Sequence, residues 1–408
     1  MTSLRLALVV HGRFHIFDLA RELIRQGHDV TLFTNYPKFV CERFGVPRER
    51  VVSYLAHGVG SRALARMLPG KKEQVERISN TAFGRWAARA VCARGPWDAV
   101  ACMSGIAEDV FRLTTAPGTL RILMRGSVHI REQKRILADE ENAGGGTVEQ
   151  PSDWIVGREE REYELADAIQ VLSPFALDSF LRRGTPRGKL DVCRLGVDVS
   201  AFKPLELVVE ARLSRLALGQ PLRVICAGNF SRQKGARCWQ QMLESTKLAA
   251  QFRFVGSIGT DATDLVRSIG PHAEFRAKVP QLALPDEYGW ADLFVLPSLQ
   301  DGFAVVVAQA LASALPVVTT THCGASALVE DGVTGWIIPP ARPDLLGECL
   351  RRLDANRNEL VAAVRRLVGC DFTCDWSEVA TDFAQSIFRR RQLPMALDEN
   401  VSSRMTSC

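Results

Sequence analysis

Residues 222–235 of the chain read LRVICAGNFSRQKG, an apolar run that ends in a turn bounded by two glycines. A short apolar run of this kind is typical of a strand buried on both faces of a parallel sheet. Residues 238–248 follow with apolar positions at helical spacing. The stretch therefore predicts a strand, a turn and a helix, which is the opening unit of an α/β domain.

The same order occurs at the start of the chain, where an apolar run at 4–10 precedes a helical pattern at 17–26 and a second apolar run at 30–34. Further apolar runs predict strands in both halves, at 99–103, 120–124, 168–172, 252–255, 293–296 and 316–319. The predicted fold class is therefore α/β, with two Rossmann-like domains that face each other across a cleft. Such folds bind ligands at the carboxyl ends of their strands, so we expect the site in that cleft.

The 408 residues are too many for one hydrophobic core, which agrees with two domains. We place the N-terminal domain at residues 1–195 and the second domain at 196–370. Residues 392–408 have little apolar content and no period, so we expect a disordered tail there.

The composition excludes several classes of protein. Hydrophobic residues make up 47% and charged residues 24%, which excludes a mainly disordered chain. The first ten residues do not read as a signal peptide, and the longest uncharged stretch, 302–329, is too polar to span a bilayer. The 11 cysteines are odd in number and lack Cys-x-x-Cys spacing, which favours a reduced cytoplasmic protein without structural zinc.

The net charge of +5 comes from the N-terminal half, and much of it lies at residues 61–94. Aromatic and apolar side chains, including Phe83 and Trp86, lie among the basic residues. Such a segment is typical of peripheral contact with an anionic membrane, and equally of an ordinary solvated helix face. The excess is too small and too local to indicate a nucleic-acid partner. The basic residues are Arg62, Arg66, Lys71, Lys72, Arg77, Arg85, Arg89 and Arg94.

The turn after the predicted strand 222–227 is the first candidate binding site. It contains Gly228, Asn229, Arg232 and Lys234. A glycine-rich turn before a helix exposes backbone N–H groups to an anion, and the two basic side chains add charge for a diphosphate. The turn lacks the Gly-Lys-Ser/Thr of a Walker A loop, so by itself it is a weak signal.

Asp301 marks the second candidate site. It follows the predicted strand 293–296 and precedes a helix, where a carboxylate and free N–H groups face a ligand together. Gln309 interrupts that otherwise apolar helix. The alternative is that Asp301 is a helix N-cap and Gln309 a satisfied polar group.

The third candidate site follows the predicted strand 120–124. Arg125 is suited to an anion, and His129 to a sugar hydroxyl or a phosphate. A lone histidine is more often structural, so a role in the fold is the alternative here.

Taken together, these segments resemble glycosyltransferase family 4, whose members are retaining enzymes of GT-B fold that use nucleotide-activated sugars. The resemblance extends from the Gly12 turn to residues 371–373. It implies that residues 371–391 form a closing helix that crosses back to the N-terminal domain. The motifs that carry it are Gly-Val-Asp-x-x-x-Phe-x-Pro at 196–204, the turn at 228–235, ADLFVLPS at 291–298, Asp-Gly-Phe at 301–303, LPVV at 315–318 and Asp-Gly-x-x-Gly at 331–335.

The resemblance implies roles for individual residues. Lys234 would contact the donor diphosphate, Asp301 stands at the first Glu of the family's Glu-x7-Glu motif, and Gln309 stands at the second, beside the ribose. His129 falls near the histidine that contacts the transferred sugar, so His129 and Asp301 are the predicted catalytic residues. The other predicted donor-binding residues are Gly12, Arg125, Gly228, Asn229, Arg232, Val279, Gly302, Phe303, Ala304 and Val305.

The resemblance further implies that a hexose is moved from a UDP-sugar or GDP-sugar to a saccharide or lipid-linked acceptor. This would serve surface polysaccharide or glycoconjugate biosynthesis, in the cytoplasm or at the inner face of the membrane. No Asp-x-Asp motif occurs, which predicts a reaction without metal, and no cofactor is expected.

Three departures from the family pattern, Asn229 for Arg, Asp301 for Glu and Gln309 for Glu, leave alternatives open. One is a catalytically degenerate protein that binds sugar nucleotides, and another is a sugar-nucleotide epimerase of the same fold. A nicotinamide-dependent oxidoreductase is disfavoured because no Gly-x-Gly-x-x-Gly follows any predicted strand.

Overall fold

The computed structural model describes residues 3–144, 146–370 and 375–392. The strands in these residues are β1 Arg5–Val10, β2 Asp29–Thr34, β3 Val51–Ser53, β4 Ala99–Met103, β5 Leu120–Met124, β6 Ala168–Val171, β7 Leu190–Val192, β8 Leu222–Ala227, β9 Ala250–Val255, β10 Ala273–Arg276, β11 Leu293–Leu296, β12 Val317–Thr320 and β13 Gly335–Ile338.

The α-helices of the same residues are α1 Ile16–Arg25, α2 Lys38–Arg43, α3 Leu55–Met67, α4 Lys72–Cys92, α5 Ala107–Leu113, α6 Ile130–Gly144, α7 Asp153–Leu165, α8 Pro174–Leu181, α9 Val199–Phe202, α10 Glu206–Ala217, α11 Ala236–Ser245, α12 Thr263–Ile269, α13 Leu284–Trp290, α14 Val305–Ala312, α15 Pro343–Ala355, α16 Arg357–Val368 and α17 Trp376–Gln392.

The strands form two parallel sheets, which confirms the predicted α/β class with two Rossmann-like sheets. The first has seven strands in the order β3-β2-β1-β4-β5-β6-β7, and the second has six in the order β10-β9-β8-β11-β12-β13. In the second sheet the chain order reverses between β8 and β11, which pair in parallel. Such a reversal opens a crevice at the carboxyl ends of the two strands, where α/β folds bind ligands.

The central strands of the second sheet were predicted because they are apolar on both faces. Every residue of β11 and β12 is buried, as are five of the six in β8. The short strands β3, β7, β10 and β13 were not predicted. They have three or four residues and all four lie at sheet edges, where charged side chains such as Glu274 and Arg276 on β10 are tolerated.

By internal contacts the described residues divide into two compact units. The first comprises residues 3–124, 161–169 and 377–392, and the second comprises 125–160 and 170–376. The units therefore do not follow the predicted bounds 1–195 and 196–370. Residues 125–160 go with the second unit, and one reason is the partly buried ion pair between Arg237 on α11 and Glu140 on α6, with Nε and Oε1 2.6 Å apart.

The charged stretch 205–218 contains helix α10, which buries Arg212 completely. The guanidinium donates to four backbone carbonyls, those of Tyr288, Ala291, Ser313 and Ala314, at 2.6–3.2 Å. The charge is tolerated because these carbonyls end helices α13 and α14 and attract a cation.

The basic segment 61–94 falls on α3 and α4, and its eight Lys and Arg residues are all exposed. Its aromatic residues are placed differently from the prediction. Phe83 is fully buried, and Trp86 stacks on Tyr54 with ring centroids 4.9 Å apart. The exposed apolar side chains of the segment are instead Met67 and Ile78. Within the described ranges, no helix combines the length and the apolar character that crossing a membrane requires.

Helix α17 corresponds to the predicted closing helix, and its residues 377–392 belong to the first unit. The side-chain amide of Gln26 donates to the carbonyl of Ser377 at 2.8 Å and to the Thr381 hydroxyl at 3.0 Å. Residues 371–373 of the predicted crossing and residues 393–408 of the predicted tail lie outside the described residues.

Candidate functional site

The site is built where β8 and β11 end side by side in the second unit. The turn 228–235 follows β8 and the loop 297–304 follows β11. Gly235 is left-handed, with φ +86°, and a Cβ there would overlap the carbonyl of Pro297. The backbone amide of Leu299 donates to the carbonyl of Gln233 at 3.0 Å. The first two candidate segments are therefore in direct contact.

Lys234 and Asp301 form an ion pair between these two segments, through Nζ and Oδ2. Burial lowers the pKa of Lys234, but the charge and hydrogen bond of Asp301 outweigh it and hold that pKa above its usual value. The neighbouring thiols of Cys226 and Cys323 are neutral, because burial raises the pKa of each to about 12. The site thus presents a fixed positive charge whose partner is one carboxylate.

The second carboxylate oxygen of Asp301 caps the chain that leads into α14. Oδ1 accepts from the backbone amides of Phe303 at 3.2 Å and Ala304 at 2.9 Å. Ala304 itself is left-handed, with φ +59°. A non-glycine residue held in this region costs about 1 kcal/mol or more and is typical of sites where the chain is constrained. Asp301 therefore serves as a cap and as an ion-pair partner together, and two of the amides predicted for the ligand are already bonded.

A small recess opens beside Lys234 between the turn 228–235 and the end of β9. Its wall includes Asn229, Phe230, Ser257 and Ile258. The Ser257 hydroxyl donates to Oδ1 of Asn229 at 2.9 Å, and Asn229 is exposed. Asn229 is thus available at the rim of the recess.

Arg232 does not lie free at the turn, as the sequence prediction assumed. Its side chain is 3% exposed, Nε donates to the carbonyl of Asp261 at 2.8 Å, and a terminal nitrogen bonds the carboxylate of Asp264 at 2.9 Å. These partners come from the segment after β9, which no local pattern around residue 232 indicates.

Gln300 is a residue of the site that the sequence analysis did not single out. It is fully buried, its Oε1 accepts from Nε2 of Gln233 at 3.0 Å, and its Nε2 donates to the hydroxyl of Ser127. A Cβ on Gly302 would also overlap the carbonyl of Gly126. The loop after β5 therefore packs on the loop after β11. The sequence could have indicated Gln300, because it is a polar residue between a buried strand and Asp301.

His129 lies in the loop after β5 and is 5% exposed. Its backbone amide donates to the Ser179 hydroxyl at 2.8 Å, and its Nδ1 accepts the amide of Arg131 at 3.2 Å. An imidazole that accepts at Nδ1 carries its proton at Nε2. Burial, with help from nearby arginines, lowers the pKa of His129 to about 4, so the ring is neutral at physiological pH.

Arg125 organises this loop. Its Nε donates to the carbonyl of Val128 at 3.1 Å, a terminal nitrogen bonds Gln133 at 2.7 Å, and Glu159 balances the charge. These contacts give Arg125 a structural role beside its predicted one at the donor.

Three further predicted donor-binding residues, Gln309, Val279 and Gly12, lie in different parts of the fold. Gln309 is buried, and its Oε1 accepts from the Tyr288 hydroxyl at 3.4 Å. Val279 is half-buried against the core of the second unit. Gly12 lies in the first unit, where its left-handed amide donates to Oδ1 of Asn35 at 2.9 Å. Among the described residues, no group of three or more His, Cys, Asp or Glu side chains is arranged to hold a metal ion.

Comparison with known proteins finds similarity to glycosyltransferases. Residues 221–356 match the family model described as Glycosyl transferases group 1. The chain is 28% identical over 231 residues to the amylovoran biosynthesis glycosyltransferase AmsK of Erwinia amylovora, which covers 51% of this chain and 50% of AmsK. It is 28% identical over 252 residues to the putative colanic acid biosynthesis glycosyltransferase WcaL of Escherichia coli K12, with 56% of each chain covered. The chain thus spans about half the length of the curated relatives it matches.

Among solved structures, the fold is similar to that of Anabaena HepE in complex with UDP. The TM-score is 0.68 at 13% identity, with 94% of this chain and all of HepE covered. The two-sheet fold is therefore that of GT-B proteins, as the sequence resemblance implied.

Proposed function

We propose that this chain transfers a hexose from a nucleoside-diphosphate sugar. Residues 221–356 match the Glycosyl transferases group 1 model, and the fold is that of GT-B proteins. The observation that carries the proposal is the Lys234–Asp301 pair at the reversal between β8 and β11. At that crevice, a permanent positive charge can bind the diphosphate of the donor and a carboxylate can bind its sugar.

Lys234 is the group we assign to the diphosphate. Its raised pKa keeps the Lys234 ammonium charged throughout the physiological pH range. Asn229 and Ser257 line the recess beside Lys234. Support for a uridine nucleotide comes from HepE, which was solved with UDP and with UDP-glucose. We keep UDP-sugar and GDP-sugar as the two donor classes.

The reaction we propose needs the leaving diphosphate to be stabilised as its bond to the sugar breaks. Lys234 supplies a positive charge there, and in many enzymes such preorganised charge contributes more to the rate than any other effect. Neutral His129, with its proton at Nε2, is suited to donate a hydrogen bond to a sugar hydroxyl. Retention of the anomeric configuration follows from the family resemblance, and independence from metal is part of the proposal.

For the acceptor we propose a saccharide or a lipid-linked saccharide used in surface polysaccharide assembly. The names of AmsK and WcaL, which refer to amylovoran and colanic acid, support this class. Exposed Lys and Arg residues on α3 and α4, with Met67 and Ile78 among them, support peripheral contact with an anionic membrane.

The test is a thermal-shift series without added metal, with UDP, GDP, ADP and their common sugar conjugates. A ligand that binds the native state raises the melting temperature, by an amount that grows with its concentration above Kd. We expect one nucleotide class to stabilise the wild type and to lose that effect in Lys234→Ala. Lys247→Ala, which removes an exposed lysine of the same unit, is the matched control.

Two outcomes would contradict the proposal. One is the absence of any shift in the wild type, and the other is an equal shift in Lys234→Ala and the wild type. Binding without turnover of any sugar conjugate would instead indicate the degenerate sugar-nucleotide-binding protein.

A further inference from the structure

The side-chain amide of Gln300 lies at the junction of three segments. Its Oε1 accepts from Gln233 in the turn after β8, and its Nε2 donates to Ser127 in the loop after β5. Gln233 also donates to the backbone carbonyl of Gln300 at 3.2 Å. Because the residue is fully buried, water does not replace these bonds when they are lost.

Each segment joined by Gln300 carries a residue assigned to the donor. Gln233 directly precedes Lys234, Gln300 directly precedes Asp301, and Ser127 lies two residues before His129. The segments also touch through their backbones, since a Cβ on Gly302 would lie 2.8 Å from the Cα of Ser127. A change in this amide therefore acts on the spacing of all three side chains.

We infer that Gln300 is a positioning residue, which holds the loop of His129 in register with the Lys234–Asp301 pair. The inference rests on the proposed function. The bridge needs a side chain that accepts from the Gln233 amide and also bonds the Ser127 hydroxyl, so Met or Ala does not replace Gln300. The diphosphate end of the donor is held by Lys234, so loss of Gln300 should affect turnover more than nucleotide binding.

The experiment compares Gln300→Met, Ser127→Ala and the double variant with the wild type. Gln300→Met keeps the side-chain volume and removes both hydrogen bonds, whereas Ser127→Ala removes only the bond to the loop of His129. Gln251→Met, at an exposed glutamine on β9, is the matched control. Each protein is titrated with UDP and with GDP. The hydrolysis of UDP-glucose and of GDP-mannose, in which water accepts the sugar and the nucleotide is released, gives kcat and KM.

We expect both single variants to keep nucleotide affinity within about threefold and to lose about tenfold or more in kcat, because small displacements of reacting groups are costly. The double variant should lose no more than the worse single variant, because the two changes remove the same bond. Gln251→Met should behave as the wild type.

The inference is overturned if both single variants keep kcat within twofold, if affinity and kcat fall by the same factor, or if the two losses multiply in the double variant. A wild type and a Gln251→Met variant that bind neither nucleotide would overturn the proposed function, and the inference with it. The two failures are therefore distinguished by the behaviour of the control proteins.

Discussion

At the scale of single residues, Asp301 competes with any anion for Lys234. Asp301→Asn removes that competition, while the amide oxygen can still accept from the amides of Phe303 and Ala304. A partly exposed ion pair contributes about 1 kcal/mol, so we expect UDP or GDP to bind about fivefold more tightly to this variant. Turnover of the sugar nucleotide should fall, since the carboxylate beside the sugar is lost.

Isothermal titration without metal measures this effect, with Asp286→Asn as a control that removes an exposed carboxylate from α13. Unchanged or weaker nucleotide binding in Asp301→Asn would show that the pair does not restrain Lys234.

The neutral state of His129 predicts a pH effect on stability. Its pKa is about 4 in the folded protein and near 6.5 when unfolded, so the unfolded chain binds more protons between these values. Stability is therefore lost as the pH falls through this window, and the share of His129 is about 2 kcal/mol at pH 5. We expect His129→Gln to lose less stability between pH 7 and pH 5 than the wild type.

Urea unfolding at the two pH values gives the difference, and His272→Gln at an exposed position should leave it unchanged. Parallel losses in His129→Gln and the wild type would mean that this ring does not change its protonation on unfolding.

At the scale of elements, α10 is anchored by one buried charge. Arg212→Met would remove the hydrogen bonds that the guanidinium donates to four backbone carbonyls, although the volume is nearly kept. We expect a loss of about 3 kcal/mol in the free energy of unfolding. Arg267→Met, at an exposed position on α12, should change it by less than about 0.5 kcal/mol. A similar small change in Arg212→Met would refute the anchoring role, and equilibrium unfolding in urea decides between them.

At the scale of the whole molecule, the excess of positive charge is concentrated on the segment 61–94, which contains most of α3 and α4. Reversing Lys71 and Lys72 to Glu should reduce co-sedimentation with vesicles that contain phosphatidylserine, because each basic residue near such a surface contributes about 1 kcal/mol. The double change Lys203→Glu and Lys247→Glu, at exposed positions of the second unit, alters the net charge equally and should have little effect. Equal losses in the two variants would point to net charge alone, and unchanged binding would remove the membrane proposal.

The sequence was sufficient to predict the elements that are buried on both faces. The apolar runs that became β8 and β11 were found, and Lys234 and Asp301 were each placed after the carboxyl end of a predicted strand. The ion pair that joins the two side chains was not predicted. Partners distant in sequence were not predictable. Arg232 is bonded by Asp261 and Asp264, and Phe83 is buried although several exposed residues of the same helix are basic. Such choices are made by tertiary packing, which a local pattern does not record.

The pairing of Lys234 with Asp301 affects which dissolved anions can bind at the crevice. Chloride, bicarbonate and other small monovalent ions are abundant there, and an open lysine would be partly occupied by them. Here the Asp301 carboxylate of the same chain is already paired with Lys234. Its effective concentration at the lysine is higher than the concentration of any dissolved monovalent ion. Only a polyvalent group that brings further contacts displaces it, so the crevice rejects the common electrolytes without excluding them sterically.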